Sequence, residues 1–318
     1  MTTRNRRWRA VPATVALVTA LTAFGAGAAS ADPGPSVDPQ SPTSSDGSVL
    51  DPASLNVPDG LTMVPGTAGS GDRDYAGADY SADLKGEVEG TVGVDSVIAP
   101  DGRYRTTPTD WHPTTATVQL TYWNGSSHVQ FCTGWMIGDD TLMTAGHCVY
   151  DQGSGWMTGQ GVRAWPARDG SSAPYGSCTA ASFHSVNGWT QNGDWEYDYG
   201  AIKLNCTVGA STGTYGFWWQ SASLDGTSTY VRGYPCDKAY GEQWAHYDNV
   251  DQTTTRKVYY QNDTYNCQSG SPVYSYSRSG CGACALGIHA YGTGGGSYNS
   301  GTRITEAVFN NMIYWRDL

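Results

Sequence analysis

Beyond an apolar stretch from about Val11 to Ala28, the chain has no long apolar run, so nothing later in it reads as a membrane-crossing helix. Basic residues are also in short supply: 18 Lys and Arg face 29 Asp and Glu, a formal net charge of −11. Nucleic acids and anionic membranes both demand a basic surface, which argues against either as a partner. The spacing Cys281-Gly282-Ala283-Cys284 has no second CxxC and no clustered histidines to complete a metal site, so it fits a small disulfide loop better. No internal repeat is visible. Glutamate is scarce as well: from Ser96 onward only Glu196, Glu242 and Glu306 occur, although glutamate is normally among the commonest residues.

What is present divides the 318 residues into three parts. Arg4, Arg6, Arg7 and Arg9 precede the apolar stretch, and Ala29-Ser30-Ala31 follows it, which is the layout of a secretory signal peptide over residues 1–31. An even count of eight cysteines agrees with export to an oxidising compartment. Residues 32–95 are rich in Pro, Gly, Ser and Asp and read as a propeptide with limited structure of its own. From Ser96 to Leu318 short runs of Val, Thr, Tyr and Trp alternate with Gly, Asn, Asp and Ser clusters, the signature of an all-β sandwich or barrel. Thr117-Val118-Gln119-Leu120-Thr121-Tyr122 alternates with period two, and Asn124-Gly125 after it signals a hairpin. Strands are expected from Thr141 to Ala145, from Gly200 to Leu204 and around Thr229–Arg232. Only the end reads as helix: Thr305 caps, Glu306 suits the amino end, and Val308, Phe309, Met312 and Ile313 recur at helical spacing.

Three local contexts carry chemistry together. His147 sits in Thr144-Ala145-Gly146-His147-Cys148, Asp198 opens Asp198-Tyr199-Gly200-Ala201-Ile202-Lys203-Leu204, and Ser269 lies in Cys267-Gln268-Ser269-Gly270-Ser271-Pro272. A serine hydroxyl is a weak nucleophile until an imidazole takes its proton and a carboxylate orients that imidazole. The order His, Asp, Ser belongs to one of several unrelated arrangements of this triad, the chymotrypsin-like one. Asp194 and Glu196 rival Asp198, which is preferred because it directly precedes an apolar strand where a carboxylate can be held rigid. A Cys132–Cys148 bridge would pin the loop carrying His147, a stabilisation of about 3 kcal/mol for a loop of that size.

These motifs, with Gly233-Tyr234-Pro235 and Gly287-Ile288-His289, resemble the bacterial glutamyl endopeptidases of the bacillar, staphylococcal and actinomycete type. The resemblance runs from about Ser96 to the carboxy terminus. It implies two six-stranded antiparallel barrels of the trypsin-like type with a carboxy-terminal helix, and an active site in the cleft between the barrels. His147 would be the general base, Asp198 its orienting partner and Ser269 the nucleophile, with the backbone N–H groups of Cys267 and Ser269 as the oxyanion hole. Relatives usually have glycine at the positions of Cys267 and Cys236, so the two replacements imply a Cys236–Cys267 bridge, which leaves Cys178 to pair with Cys206 and Cys281 with Cys284.

The resemblance also implies that His289 and Thr264 face the side chain before the scissile bond, where a carboxylate needs hydrogen-bond donors. Asp263 is the one acid in that stretch that could favour a basic side chain. Glu87 and Glu89 lie ahead of a mature start at Ser96 or Val97, and scarce glutamate within residues 96–318 would spare the enzyme itself. The expected product is a secreted, extracellular, monomeric endopeptidase acting on protein or peptide substrates, with no cofactor, no metal and no membrane attachment after signal cleavage. Two alternatives are a protease of the same fold with another preference, and a secreted binding module whose 12 Trp and 21 Tyr form a carbohydrate-binding surface.

Overall fold

The computed structural model describes residues 37–81, 86–88 and 97–318. The expected signal peptide, Glu89 and Ser96 lie outside the described residues. Twelve strands build two closed barrels. The first takes β1 (Thr117–Trp123), β2 (His128–Met136), β3 (Thr141–Thr144), β4 (Arg163–Pro166), β5 (Cys178–Val186) and β6 (Gly200–Leu204), in the order β5-β4-β1-β2-β3-β6, closed by β5 against β6. The second takes β7 (Ser228–Gly233), β8 (Trp244–Thr253), β9 (Lys257–Tyr260), β10 (Pro272–Ser275), β11 (Cys284–Tyr291) and β12 (Asn299–Arg303), in the order β10-β7-β8-β9-β12-β11, closed by β10 against β11. Closure leaves neither six-stranded ring with a free edge. Both rings share one cyclic order, so the chain folds the same pattern twice.

The hairpin expected at Asn124-Gly125 joins β1 to β2. Gly125 takes a φ of +99°, and the Asn124 side chain accepts from the backbone N–H groups of Ser126 and Ser127, each at 2.9 Å. Period-two alternation in β1 separates two faces, but the polar face is not solvated. Thr117, Gln119 and Thr121 are as buried as Val118 and Leu120. The Thr117 hydroxyl meets the Tyr215 hydroxyl at 2.8 Å, Gln119 bonds Gln130, and Thr121 accepts from the Trp165 indole at 2.9 Å. Gln130 in turn donates to the Tyr234 carbonyl at 2.8 Å, so the polar side of this barrel is covered by protein rather than by water. In the second barrel, Val231, Val250, Val258, Val273 and Leu286 share one buried cluster.

The carboxy-terminal helix, Glu306–Asp317, starts where Thr305 accepts from the Val308 N–H. Its buried side Val308, Phe309, Met312, Ile313 and Trp315 packs into the cluster that contains Ala201 and Ile202, with Phe309 against Phe217 at 5.2 Å between ring centroids. The segment before the barrels pairs with the first barrel and with the connection between the two. Pro42–Ser44 pairs with β5, Met63–Val64 with Phe217–Trp218, Thr67–Ala68 with Gly213–Thr214, and Gly86–Val88 runs parallel to β2. A segment too polar to build a core acquires strands only by adding them to an existing one.

Candidate active site

His147 follows β3 in a short 3-10 turn, Gly146–Cys148, and Cys148 is bonded to Cys132 on β2. Gly146 is required there: a Cβ would lie 2.9 Å from both Asp198 Oδ1 and the Trp189 ring. Asp198 stands just before β6 and is fully buried. Its carboxylate accepts twice from the same residue, from the His147 backbone N–H at 2.9 Å and from the ring at Nδ1, 2.8 Å away. That double contact fixes the tautomer, with Nδ1 protonated and the lone pair on Nε2. Burial pushes the Asp198 carboxyl up, but the His147 charge and hydrogen bonds from the His147 ring, the Tyr291 hydroxyl and the His147 backbone hold it below the usual carboxylate value. The group is therefore ionised.

Ser269 sits in a turn clamped from both barrels. Its carbonyl accepts from the Thr133 N–H at 2.9 Å, the next N–H, of Gly270, donates to the His289 carbonyl at 2.7 Å, and the His289 N–H donates to the Ser271 carbonyl at 2.9 Å. Gly270 has a φ of +88°, and a Cβ there would lie 2.1 Å from Thr144 Oγ1, so only glycine lets the turn approach the first barrel this closely. Cys267 has a φ of +72°, a left-handed conformation that few side chains adopt, and is bonded to Cys236. Among the described residues, the backbone N–H groups of Cys267 and Ser269 have no acceptor. Cys178 is bonded to Cys206 and Cys281 to Cys284, leaving no free cysteine.

His147, Ser269, His289, Trp189, Tyr265 and Tyr291 are among the residues lining a single cleft of about 340 Å³. His289 on β11 is buried, and its Nδ1 lies 2.7 Å from the Tyr260 hydroxyl. Burial, reinforced by the charges of His147 and Lys257, pushes it down to about 3, so it is a neutral ring. In the tautomer whose Nδ1 accepts from the Tyr260 hydroxyl, Nε2 carries the proton and is a donor. Thr264 does not line the cleft; it is fully buried, and its Oγ1 has no hydrogen-bond partner. Asp263 is engaged elsewhere: one oxygen accepts from the Ile98 N–H at 2.6 Å and the other from the Gly102 N–H at 2.7 Å.

Three residues that the sequence did not single out complete the surroundings. The Tyr291 hydroxyl helps to hold the Asp198 carboxyl below its usual value, Thr302 on β12 donates to the Asp198 carbonyl at 2.9 Å, and the Trp189 ring stands edge-on to His147 at 6.3 Å. Only Tyr291 had a signal, two residues beyond His289 on one strand.

A family model described as Trypsin matches residues 101–313. A Bacillus subtilis (strain 168) protein named Extracellular metalloprotease is 45% identical over 227 residues, 71% of this chain and 71% of that one. The Glutamyl endopeptidase of Bacillus licheniformis is 42% identical over 240 residues, 74% of each chain. The solved structure of a Glu endopeptidase in complex with MPD superposes with a TM-score of 0.62 at 29% identity, covering 70% of this chain and 100% of that one. The first relative's name speaks of a metal. Among the described residues the grouping of three candidate ligands is Cys132, His147 and Cys148, whose sulfurs are bonded to each other and offer no thiolates, so this set does not fit a metal. With its two six-stranded barrels and these relatives, the chain belongs to the trypsin family and is a chymotrypsin-like serine endopeptidase.

Proposed function

We propose that the chain is exported and cleaves peptide bonds after glutamate, less well after aspartate, through an acyl-enzyme on Ser269. The observation that carries this reading is the ionised, buried Asp198 held 2.8 Å from His147 in the cleft that also holds Ser269 and His289. Ser269 Oγ attacks the scissile carbonyl as its proton passes to His147 Nε2. The imidazolium, stabilised by Asp198, then gives that proton to the leaving amine, and water repeats the sequence on the ester. The open N–H groups of Cys267 and Ser269 suit the oxyanion, a contribution of about 2.7–4 kcal/mol per donor in comparable sites.

For specificity, the neutral His289, in the tautomer whose Nδ1 accepts from Tyr260, offers Nε2–H to a carboxylate, and the unpartnered Thr264 hydroxyl is a second donor that substrate binding would have to uncover. Asp263, the acid that would have favoured a basic side chain, is occupied by two backbone N–H groups. The reading includes loss of residues 1–31 as signal and 32–95 as propeptide. An amino terminus at Ser96 or Val97 would begin within two residues of Ile98, which is anchored to Asp263, the residue next in sequence to Thr264. That amine, largely protonated at neutral pH, adds the positive charge that a glutamate side chain needs. The mature enzyme acts as a monomer on protein or peptide substrates. The test is cleavage of matched peptides differing only in Glu or Gln before the bond. His289→Ala is expected to cut the Glu-over-Gln ratio by at least about tenfold, the worth of one charge-assisted hydrogen bond; an unchanged ratio overturns the pocket assignment.

A further inference from the structure

Lys257, the first residue of β9, is fully buried. A buried ammonium is costly unless it is compensated, and the groups around this one share a property. Its Nζ donates to the Trp195 carbonyl at 3.2 Å and to Thr302 Oγ1 at 3.4 Å, and it lies 4.8 Å and 4.9 Å from the ring centroids of Trp195 and Tyr291. Each of these also holds Asp198. The Trp195 carbonyl accepts from the Asp198 N–H, the Thr302 hydroxyl donates to the Asp198 carbonyl, and the Tyr291 hydroxyl helps to keep the Asp198 carboxyl ionised.

We infer that Lys257 is a positioning residue for the hydrolytic site, its buried cation gripping the turn, the hydroxyl and the ring that surround Asp198. The inference rests on the proposed role of Asp198. Thr302 has one hydroxyl proton, which goes to the Asp198 main-chain carbonyl, so its lone pair is free for Lys257, and the ammonium is joined through one oxygen to the backbone that carries Asp198. The Tyr291 ring face receives the cation, which leaves its hydroxyl directed at the carboxylate. Other charges facing Lys257 are Asp194 and Glu196, on the turn before β6, and His289 on β11. Burial lowers Lys257 to about 8, while Asp198, Glu196 and Asp194 hold it up, so the cation is present at neutral pH. Its field favours the ionised carboxylate of Asp198 and disfavours any further positive charge beside it.

The test is the pH profile of kcat/KM on a Glu peptide for the processed protein and for Lys257→Met, which keeps the length of the side chain and removes the charge. The expected result is a loss in kcat of about tenfold with little change in KM, and an acidic limb moved up by on the order of half a pH unit. A folded Lys257→Met with the wild-type kcat and acidic limb overturns the inference. If that variant does not fold, Thr302→Val carries the test, because it keeps the ammonium and cuts its link to Asp198. It should show the loss in kcat with the acidic limb unmoved, because the charge remains, and a wild-type kcat in it is equally contrary. Ser269→Ala, run alongside, separates the two levels: full activity there overturns the reading of the site itself, whatever Lys257 does.

Discussion

The Cys236–Cys267 bridge offers a perturbation whose size can be worked out in advance. Its ends are 31 residues apart, and the chain-entropy relation gives about 3.7 kcal/mol for a loop of that length at room temperature. Cys267 also carries a left-handed φ of +72°, which costs a residue with a Cβ roughly 1 kcal/mol more than glycine. The pair Cys236→Ala/Cys267→Gly therefore loses the bridge and recovers the strain, a net loss of about 3 kcal/mol. Cys236→Ala/Cys267→Ala loses about 4 kcal/mol, because it keeps the strain without the bridge that enforces it. Turnover should separate the two further. Glycine holds the turn and the Cys267-position N–H where it is, so kcat stays within a few-fold. Alanine is free to rotate its peptide away, and losing one oxyanion donor costs about 10²–10³ in kcat. Urea unfolding and steady-state kinetics on both variants check this. Equal stability and equal kcat in the two would refute the claim that the bridge holds a strained donor in place.

Acid should weaken the fold through two buried histidines. Burial, then the charge of Lys203, pushes His184 down to about 4, and His289 is held at about 3, against an unfolded value near 6.5. The unfolded chain takes up both protons first, so this stability is complete above about 6.5 and is lost as pH falls toward 4, at up to about 2.7 kcal/mol per pH unit. Urea midpoints at several pH values should show it, with His184→Gln flattening the slope by one proton's share; a midpoint that holds from pH 7 to 4.5 contradicts it.

The architecture was legible where local chemistry and tertiary need agree. Asn124-Gly125 makes its hairpin, Thr305 caps its helix, and the strand after Asp198 forms from Gly200 to Leu204. The fate of β1's polar face was not legible, because the alternation does not show that Tyr215, Gln130 and Trp165 arrive from elsewhere to satisfy Thr117, Gln119 and Thr121. His147, Asp198 and Ser269 each stand in a short, distinctive context. Lys257 and Thr302 stand in ordinary strand sequence, and their meaning comes from neighbours about 60 and 104 positions away, at Trp195 and Asp198. Composition announced a segment without a core before residue 96, but nothing in it marked which strands it would borrow.

Covalent labelling by a serine-directed sulfonyl fluoride, followed by peptide mass mapping, tests the central claim most directly. One adduct per molecule on Ser269, formed in step with loss of peptidase activity and absent from an inactive Ser269→Ala protein, is the predicted result. An adduct on another residue, or undiminished hydrolysis by Ser269→Ala, would contradict it.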